Sequence, residues 1–173
     1  MKTKTRIARI CALGVLTALY VVLSAFLKIN LIGNIQLDLG YIVFAVALCA
    51  FGPWGAVVGV VGCALESILF SAYGFSVSWV VANAVIGIGC GFTFAMTDKI
   101  GWRVLTIILS SALGLLGFKT VIECSLYAIP YLVKIPKNVV AFAVDSVVMI
   151  VGLLLASRIG KYKYQVRNNE EKP

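Results

Sequence analysis

Six apolar stretches, joined by short connections rich in turn-forming residues, occupy most of this chain. A helix that crosses a bilayer needs about 20 mostly apolar residues, and about 17 can suffice. The stretches run from about Ile7 to Leu27, Leu37 to Phe51, Trp54 to Phe70, Val77 to Met96, Trp102 to Ile122 and Val139 to Ile159. The second is short, so it reads as tilted or partly re-entrant. Phe51-Gly52-Pro53-Trp54, Ser71-Ala72-Tyr73-Gly74 and Thr97-Asp98-Lys99-Ile100-Gly101 carry the turn chemistry between runs. The runs are continuous rather than alternating in roughly ten-residue segments, which argues against a β-barrel. The expectation is an all-α membrane protein: six transmembrane helices in one compact bundle over residues 1–160, then a charged cytoplasmic tail at 161–173 that frays.

Composition excludes most other classes. Hydrophobic residues make up 61% of the chain, charged residues 13%, and the mean hydropathy is +1.02. Soluble domains run at about 45–50% apolar and about 25% charged, so a water-soluble enzyme with a polar coat is ruled out. The chain has no histidine, which removes histidine triads, histidine proton relays and most zinc sites. Its five cysteines have no CxxC spacing and read as small buried hydrophobes. No phosphate-binding GxxxxGK[ST], HExxH or GxSxG pattern is present, so ATP hydrolysis by that loop and the common hydrolase chemistries are not expected. The basic residues are not interleaved with aromatics on a soluble surface, so nucleic acid is not an expected partner. The reading is of a non-enzyme with no metal and no cofactor.

Net charge is +8, which in a membrane protein first reports topology. Eleven basic residues flank the N-terminus, the loop after the fourth stretch and the C-terminus; four (Lys28, Lys119, Lys134 and Lys137) fall on or toward the other side. The positive-inside rule then places both termini in the cytoplasm of a multi-pass cell-membrane protein. Lys2, Lys4, Arg6 and Arg9 precede the first apolar run, as in a signal peptide. That run exceeds a usual signal core and lacks a clear cleavage site, so it is expected to be retained.

Ionisable groups inside membrane segments are costly and mark functional sites. Counting rise along each stretch places Glu66, Lys119, Glu123 and Tyr127 toward the outer end, with Trp79, Asn83, Asn138 and Asp145 in the outer parts of descending stretches. The connection before the second stretch adds Lys28, Asn30, Asn34, Gln36 and Asp38. The inner halves, such as Val104–Leu109 and Val151–Ala156, are nearly featureless. A polar bowl that opens outward and closes below is the pattern of a capture site for a small polar molecule. Tyr41, Trp79, Tyr127 and Tyr131 either stack on a ring or anchor the interface. Each polar group also has a plainer reading: the lysines as loop charges, Glu66–Lys119 or Lys119–Asp145 as a structural ion pair, Asn83 as a helix bridge.

Small residues four apart let helices approach closely. Gly55, Gly59 and Gly62 on the third stretch and Gly87 and Gly91 on the fourth suit internal packing. Ala8, Ala12, Gly14 and Ala18 form such a strip on the first stretch, in its cytoplasmic half, where a separate protein could grip.

Three segments carry a resemblance: Ala12-Leu-Gly-Val-Leu-Thr-Ala-Leu-Tyr-Val-Val-Leu-Ser24, Ile35-Gln-Leu-Asp-Leu-Gly-Tyr41 leading into Phe51-Gly-Pro-Trp-Gly-Ala56, and the Gly-rich third stretch ending at Glu66. With the length, topology and basic cytoplasmic ends, the chain resembles the substrate-binding S components of energy-coupling factor (ECF) vitamin transporters. The resemblance implies high-affinity vitamin capture from the outer side and docking on a transmembrane scaffold protein that carries two ATPase subunits. It implies an Ala-xxx-Ala scaffold contact, matched here by Gly14 and Ala18, with Ala8 and Ala12 as a shifted alternative. The expected substrate-binding residues are Lys28, Asn34, Gln36, Asp38, Tyr41, Glu66, Trp79, Asn83, Lys119, Glu123, Tyr127 and Asp145. Lys28, Lys119 and Lys134 would suit a carboxylate or phosphate, so an anionic vitamin such as pantothenate or folate is preferred. Riboflavin, stacked on Trp79 and Tyr127, stays open. The competing readings are a stand-alone carrier driven by an ion gradient, with Glu66 or Asp145 binding the coupling proton, and a non-transport assembly or enzyme subunit.

Overall fold

The computed structural model describes the backbone of residues 2–27, 29–30, 36–70 and 75–170, and the side chains of residues 6–27, 37–70 and 75–159. Helix α1 spans Lys2–Phe26. Two short strands follow, β1 (Ile29–Asn30) and β2 (Gln36–Leu37), paired antiparallel with Ile29 opposite Leu37. Helix α2 (Gly40–Phe51) leads through a tight turn at Gly52–Gly55 into α3 (Ala56–Phe70). Helix α4 covers Val77–Met96. Helix α5 (Ile100–Ser111), a π-helical segment (Ala112–Lys119) and α6 (Thr120–Tyr127) form one uninterrupted run. Helix α7 is Tyr131–Glu170.

Among the described residues, five helical segments are long and apolar enough to cross a membrane: Arg6–Phe26, Gly40–Phe70, Val77–Met96, Ile100–Tyr127 and Tyr131–Ile159. The second of these is folded back on itself. Gly52 has φ 57° and ψ −132°, a conformation open to glycine and strained for other residues, and Pro53 cannot continue the preceding helix. A Cβ on Gly55 would lie 2.5 Å from the Ala47 carbonyl oxygen, and one on Gly59 would enter the Phe44 ring. Gly55 thus faces Ala47 and Gly59 faces Phe44, so α3 returns antiparallel along α2.

Three further glycines of α3 and α4 repeat this device. Cβ atoms would lie 2.5 Å from the Tyr20 ring at Gly62, 2.7 Å from Ala56 at Gly87 and 2.7 Å from Pro53 at Gly91. These contacts set α3 against α1 and α4 antiparallel to α3. They carry out the internal packing expected of the small residues on the third and fourth stretches. Phe44, Leu48, Ile86, Ile107, Leu115, Met149 and Leu153 fill the core, whereas Val15, Leu113 and Val147 point outward at 60–68% exposure. An apolar exterior around a packed interior is the arrangement a bilayer accepts.

The expected boundaries shift at several places. The last helix starts at Tyr131 rather than Val139 and takes Pro136 into its second turn at the loss of one backbone hydrogen bond. It runs past Gly160 to Glu170, where the sequence alone suggested a fraying tail. The fifth stretch extends to Tyr127 and stops at Ala128, whose φ of 50° is left-handed, two residues before Pro130. Cys63, Cys90 and Cys124 are buried as small hydrophobes, Cys49 is half-buried, and Cys11 is exposed; all five are free thiols.

The glycine contacts yield a direct test. Gly59→Leu should lower stability by about 2 kcal/mol or more through overpacking against Phe44, seen as a lower unfolding midpoint in detergent. Gly14→Leu is the control, because nothing lies within 4 Å of its Cβ position. Equal loss in both variants would contradict the packing described.

Candidate functional site

Five helices converge on a cavity of about 120 Å³. Tyr20 comes from α1, Asp38 and Tyr41 from the start of α2, and Cys63, Glu66 and Ser67 from the end of α3. Trp79 and Asn83 come from the start of α4, and Asp145 from α7. All but Cys63 and Asp145 therefore lie toward one end of their helices, the end opposite the N-terminus of α1.

Local bonding shapes this end. The Asp38 carboxylate oxygen Oδ1 accepts hydrogen bonds from Ser24 Oγ at 2.7 Å and from the Gly40 backbone N–H at 2.8 Å. This ties the start of α2 to the end of α1, and Gly40 is required because a Cβ there would strike Ser24. The Tyr20 and Tyr41 rings meet edge-on with centroids 6.4 Å apart, and Tyr41 lies 6.2 Å from Phe44. Both tyrosines are thereby held as wall rather than as mobile side chains.

Three residues of the wall carry unanswered polar atoms. Tyr41 Oη, both amide atoms of Asn83 and Asp145 Oδ2 are buried without a hydrogen-bond partner among the described residues. Asn83 is 0% exposed and Asp145 3%. Buried polar atoms are nearly always paired, so three such groups around one hollow point to a guest that supplies the missing partners.

A second polar cluster adjoins the cavity through Trp79. Lys119 Nζ lies 4.2 Å from the centroid of the Trp79 ring and donates to Asn138 Oδ1. Glu123 is 3.4 Å from Lys119 Nζ and 3.1 Å from Lys134 Nζ. Ser78 Oγ donates to Glu123 at 3.3 Å, and Asn138 Nδ2 donates to Thr120 Oγ1 at 2.9 Å. The π-helical segment makes this possible. Its wider turns carry the Thr120 hydroxyl to the Leu115 carbonyl five residues back, at 3.0 Å, and rotate Lys119, Thr120 and Glu123 inward between α4 and α7.

Of the residues singled out from the sequence, Asp38, Tyr41, Glu66, Trp79, Asn83 and Asp145 line one hollow. Lys119 and Glu123 are buried beside it but do not line it. Tyr127 is 61% exposed and does not line the cavity: it is the last residue of α6, one turn beyond Glu123. Lys28, Asn34 and the side chain of Gln36 lie outside the described residues. Tyr20, Cys63 and Ser67 also line the hollow and were not anticipated. Tyr20 carried a usable signal as the one phenol of the first apolar run, and Ser67 adjoins Glu66.

No cationic side chain lines the cavity among the described residues, and no group of three His, Cys, Asp or Glu is placed to hold a metal ion. On α1, Gly14 and Ala18 are exposed, Ala8 is exposed and Ala12 half-buried, so this strip stays open where the glycines of α3 and α4 are filled by neighbours.

Comparison with known proteins agrees with this architecture. The family described as ECF-type riboflavin transporter, S component, matches residues 4–163. A UPF0397 protein of Enterococcus faecalis is 35% identical over 101 residues, covering 57% of this chain and 54% of that protein. A UPF0397 protein of Streptococcus pneumoniae is 33% identical over 92 residues, covering 53% and 50%. The chain thus spans about half the length of the curated relatives it matches. In overall fold it is similar to the crystallised S component for biotin from an ECF-type ABC transporter, with a TM-score of 0.67 over 93% of this chain and 95% of that one at 15% identity. An all-helical, multi-pass membrane bundle matched to this family over nearly its whole length leads to one conclusion: the chain belongs to the ECF-type riboflavin transporter S component family.

Proposed function

We propose that this chain captures a water-soluble vitamin with high affinity in the cavity between α1, α2, α3, α4 and α7, for ATP-driven uptake through the cell membrane. A transmembrane scaffold protein and two ATPase subunits complete the transporter, and the open strip of α1 is the docking face. The bundle crosses the membrane six times, with α2 and α3 as separate crossings. The cavity end faces outward and both termini are cytoplasmic, in line with the distribution of Lys and Arg.

The observation that carries this reading is the set of buried, unanswered polar atoms on Tyr41, Asn83 and Asp145 around one hollow. Family membership supports the transport role. Two of the three lysines that favoured pantothenate or folate in the sequence are differently employed: Lys119 and Lys134 both face Glu123, while Lys28 lies outside the described residues. Support therefore moves toward a ring-bearing vitamin without net negative charge, with Trp79 offering a stacking face. Riboflavin, which the family's name carries, is the first ligand to try. Nothing in the fold favours the ion-gradient carrier.

Isothermal titration of the purified chain, without ATP, against riboflavin, thiamin, pyridoxamine, pyridoxine, pantothenate and folate tests the proposal. Submicromolar binding of one member is the expected result. Absence of heat with every member would overturn it.

A further inference from the structure

We infer that the part of the ligand buried in this cavity carries positive charge or several N–H donors, as in an organic ammonium or an amino-substituted heteroaromatic ring, with Asp145 as its counter-charge. This rests on the capture reading above and narrows it.

The wall holds three carboxylates, Asp38, Glu66 and Asp145, and no lysine or arginine among the described residues. They are not equivalent. Asp38 already accepts two hydrogen bonds that build the start of α2. Asp145 stands on α7, 3% exposed, with Oδ2 unpartnered. A buried carboxylate oxygen without a donor is costly, and a bound molecule that supplies the donor relieves that cost. The Asn83 amide, with both polar atoms free, offers an acceptor beside it and a donor for an adjacent ring atom. The aromatic residues of the wall, Tyr20, Tyr41 and Trp79, suit the same guest, since aromatic rings attract cations.

The neighbouring cation does not reverse this. Lys119 lies over the Trp79 ring and is held by Asn138 and Glu123, and Glu123 also takes Lys134. Its donors are directed into the second cluster. An anionic ligand would find no cationic partner on this wall among the described residues. Such a ligand is therefore selected against by the wall itself.

The test uses the full chain in detergent, with thermal stabilisation and titration for probes of defined charge. Thiamin and pyridoxamine are the cationic or amine-bearing probes, riboflavin and pyridoxine the neutral ones, pantothenate the anion. Pyridoxamine and pyridoxine share a ring and differ at the amine, so their ratio isolates the charge. The expected result is that the tightest binder is thiamin or pyridoxamine, at least tenfold tighter than any neutral or anionic probe. Asp145→Asn should then weaken that binder at least tenfold while the ligand-free unfolding midpoint stays close to that of the parent. If riboflavin, pyridoxine or pantothenate binds tightest, the charge assignment fails and vitamin capture stands. Retained affinity in Asp145→Asn overturns the counter-charge role alone. Binding of none of the probes overturns both readings. The probe comparison needs no substitution, so poor folding of the variant leaves it decisive.

Discussion

Leucine at both Gly14 and Ala18 is expected to abolish uptake by the assembled transporter while ligand binding by the isolated chain stays unchanged. Nothing lies within 4 Å of the Gly14 Cβ position, and Ala18 is exposed, so the new side chains meet no neighbour inside this chain. Among the described residues, the cavity is lined mostly by other helices, and Tyr20 is the contribution from α1. A small-residue strip earns its place by letting another helix backbone come close, and two isobutyl groups there hold that helix away. Loss of a close-packed interface centre costs at least about 2 kcal/mol, so docking and uptake should fall by roughly 30-fold or more. Measured side by side, vitamin uptake in cells and titration of the purified chain separate docking from folding. A variant that loses both activities would show that the strip serves the fold; one that keeps uptake would show that the partner grips elsewhere.

Glu123→Ala is expected to destabilise the chain more than any other single polar substitution near the cavity. Its carboxylate stands between Lys119 and Lys134, at 3.4 and 3.1 Å, and accepts from Ser78 at 3.3 Å. Lys119 is 4% exposed, so removing Glu123 leaves a buried ammonium with only the Asn138 oxygen and the Trp79 ring against it. Breaking a buried pair by removing one member typically costs about 3–5 kcal/mol, because an uncompensated charge remains. The double substitution Lys119→Met with Glu123→Leu removes both charges and should recover most of that loss, since an apolar replacement of a buried pair is often neutral. Unfolding midpoints in detergent compare the three proteins. If Glu123→Ala keeps its midpoint but loses ligand, then Glu123 touches the ligand directly and the cluster is part of the pocket.

Much of this molecule is legible before any coordinate. Continuous apolar runs force helices, because no other open structure satisfies its backbone in a bilayer. Gly52-Pro53 and Ala128 to Pro130 stop helices for local reasons of φ and missing N–H groups. Period and rise along those helices bring Asp38, Tyr41, Glu66, Trp79, Asn83 and Asp145 to similar depth, and they do share one hollow. Tyr127 shows where this counting fails. Spacing sets Tyr127 one turn beyond Glu123, but α6 ends at Tyr127, which is 61% exposed, while the π-helical segment at Ala112–Lys119, which precedes both, turns Lys119 and Glu123 into the bundle. A local widening of a helix leaves no mark in hydrophobic periodicity.

The charge of the site was likewise beyond the sequence. Lysine and glutamate at 119, 123 and 134 could pair with one another or reach a ligand, and composition treats the two cases alike. Only the packing of α6 between α4 and α7 sets Glu123 between both lysines and leaves Asp145 and Asn83 unanswered. The sequence alone determined that the chain is a helical membrane protein with its polar groups gathered at one end, since bilayer solvation acts on each segment separately. Tertiary structure decided which of those groups neutralise each other and which face the cavity, since pairing depends on distances between helices that no single segment encodes.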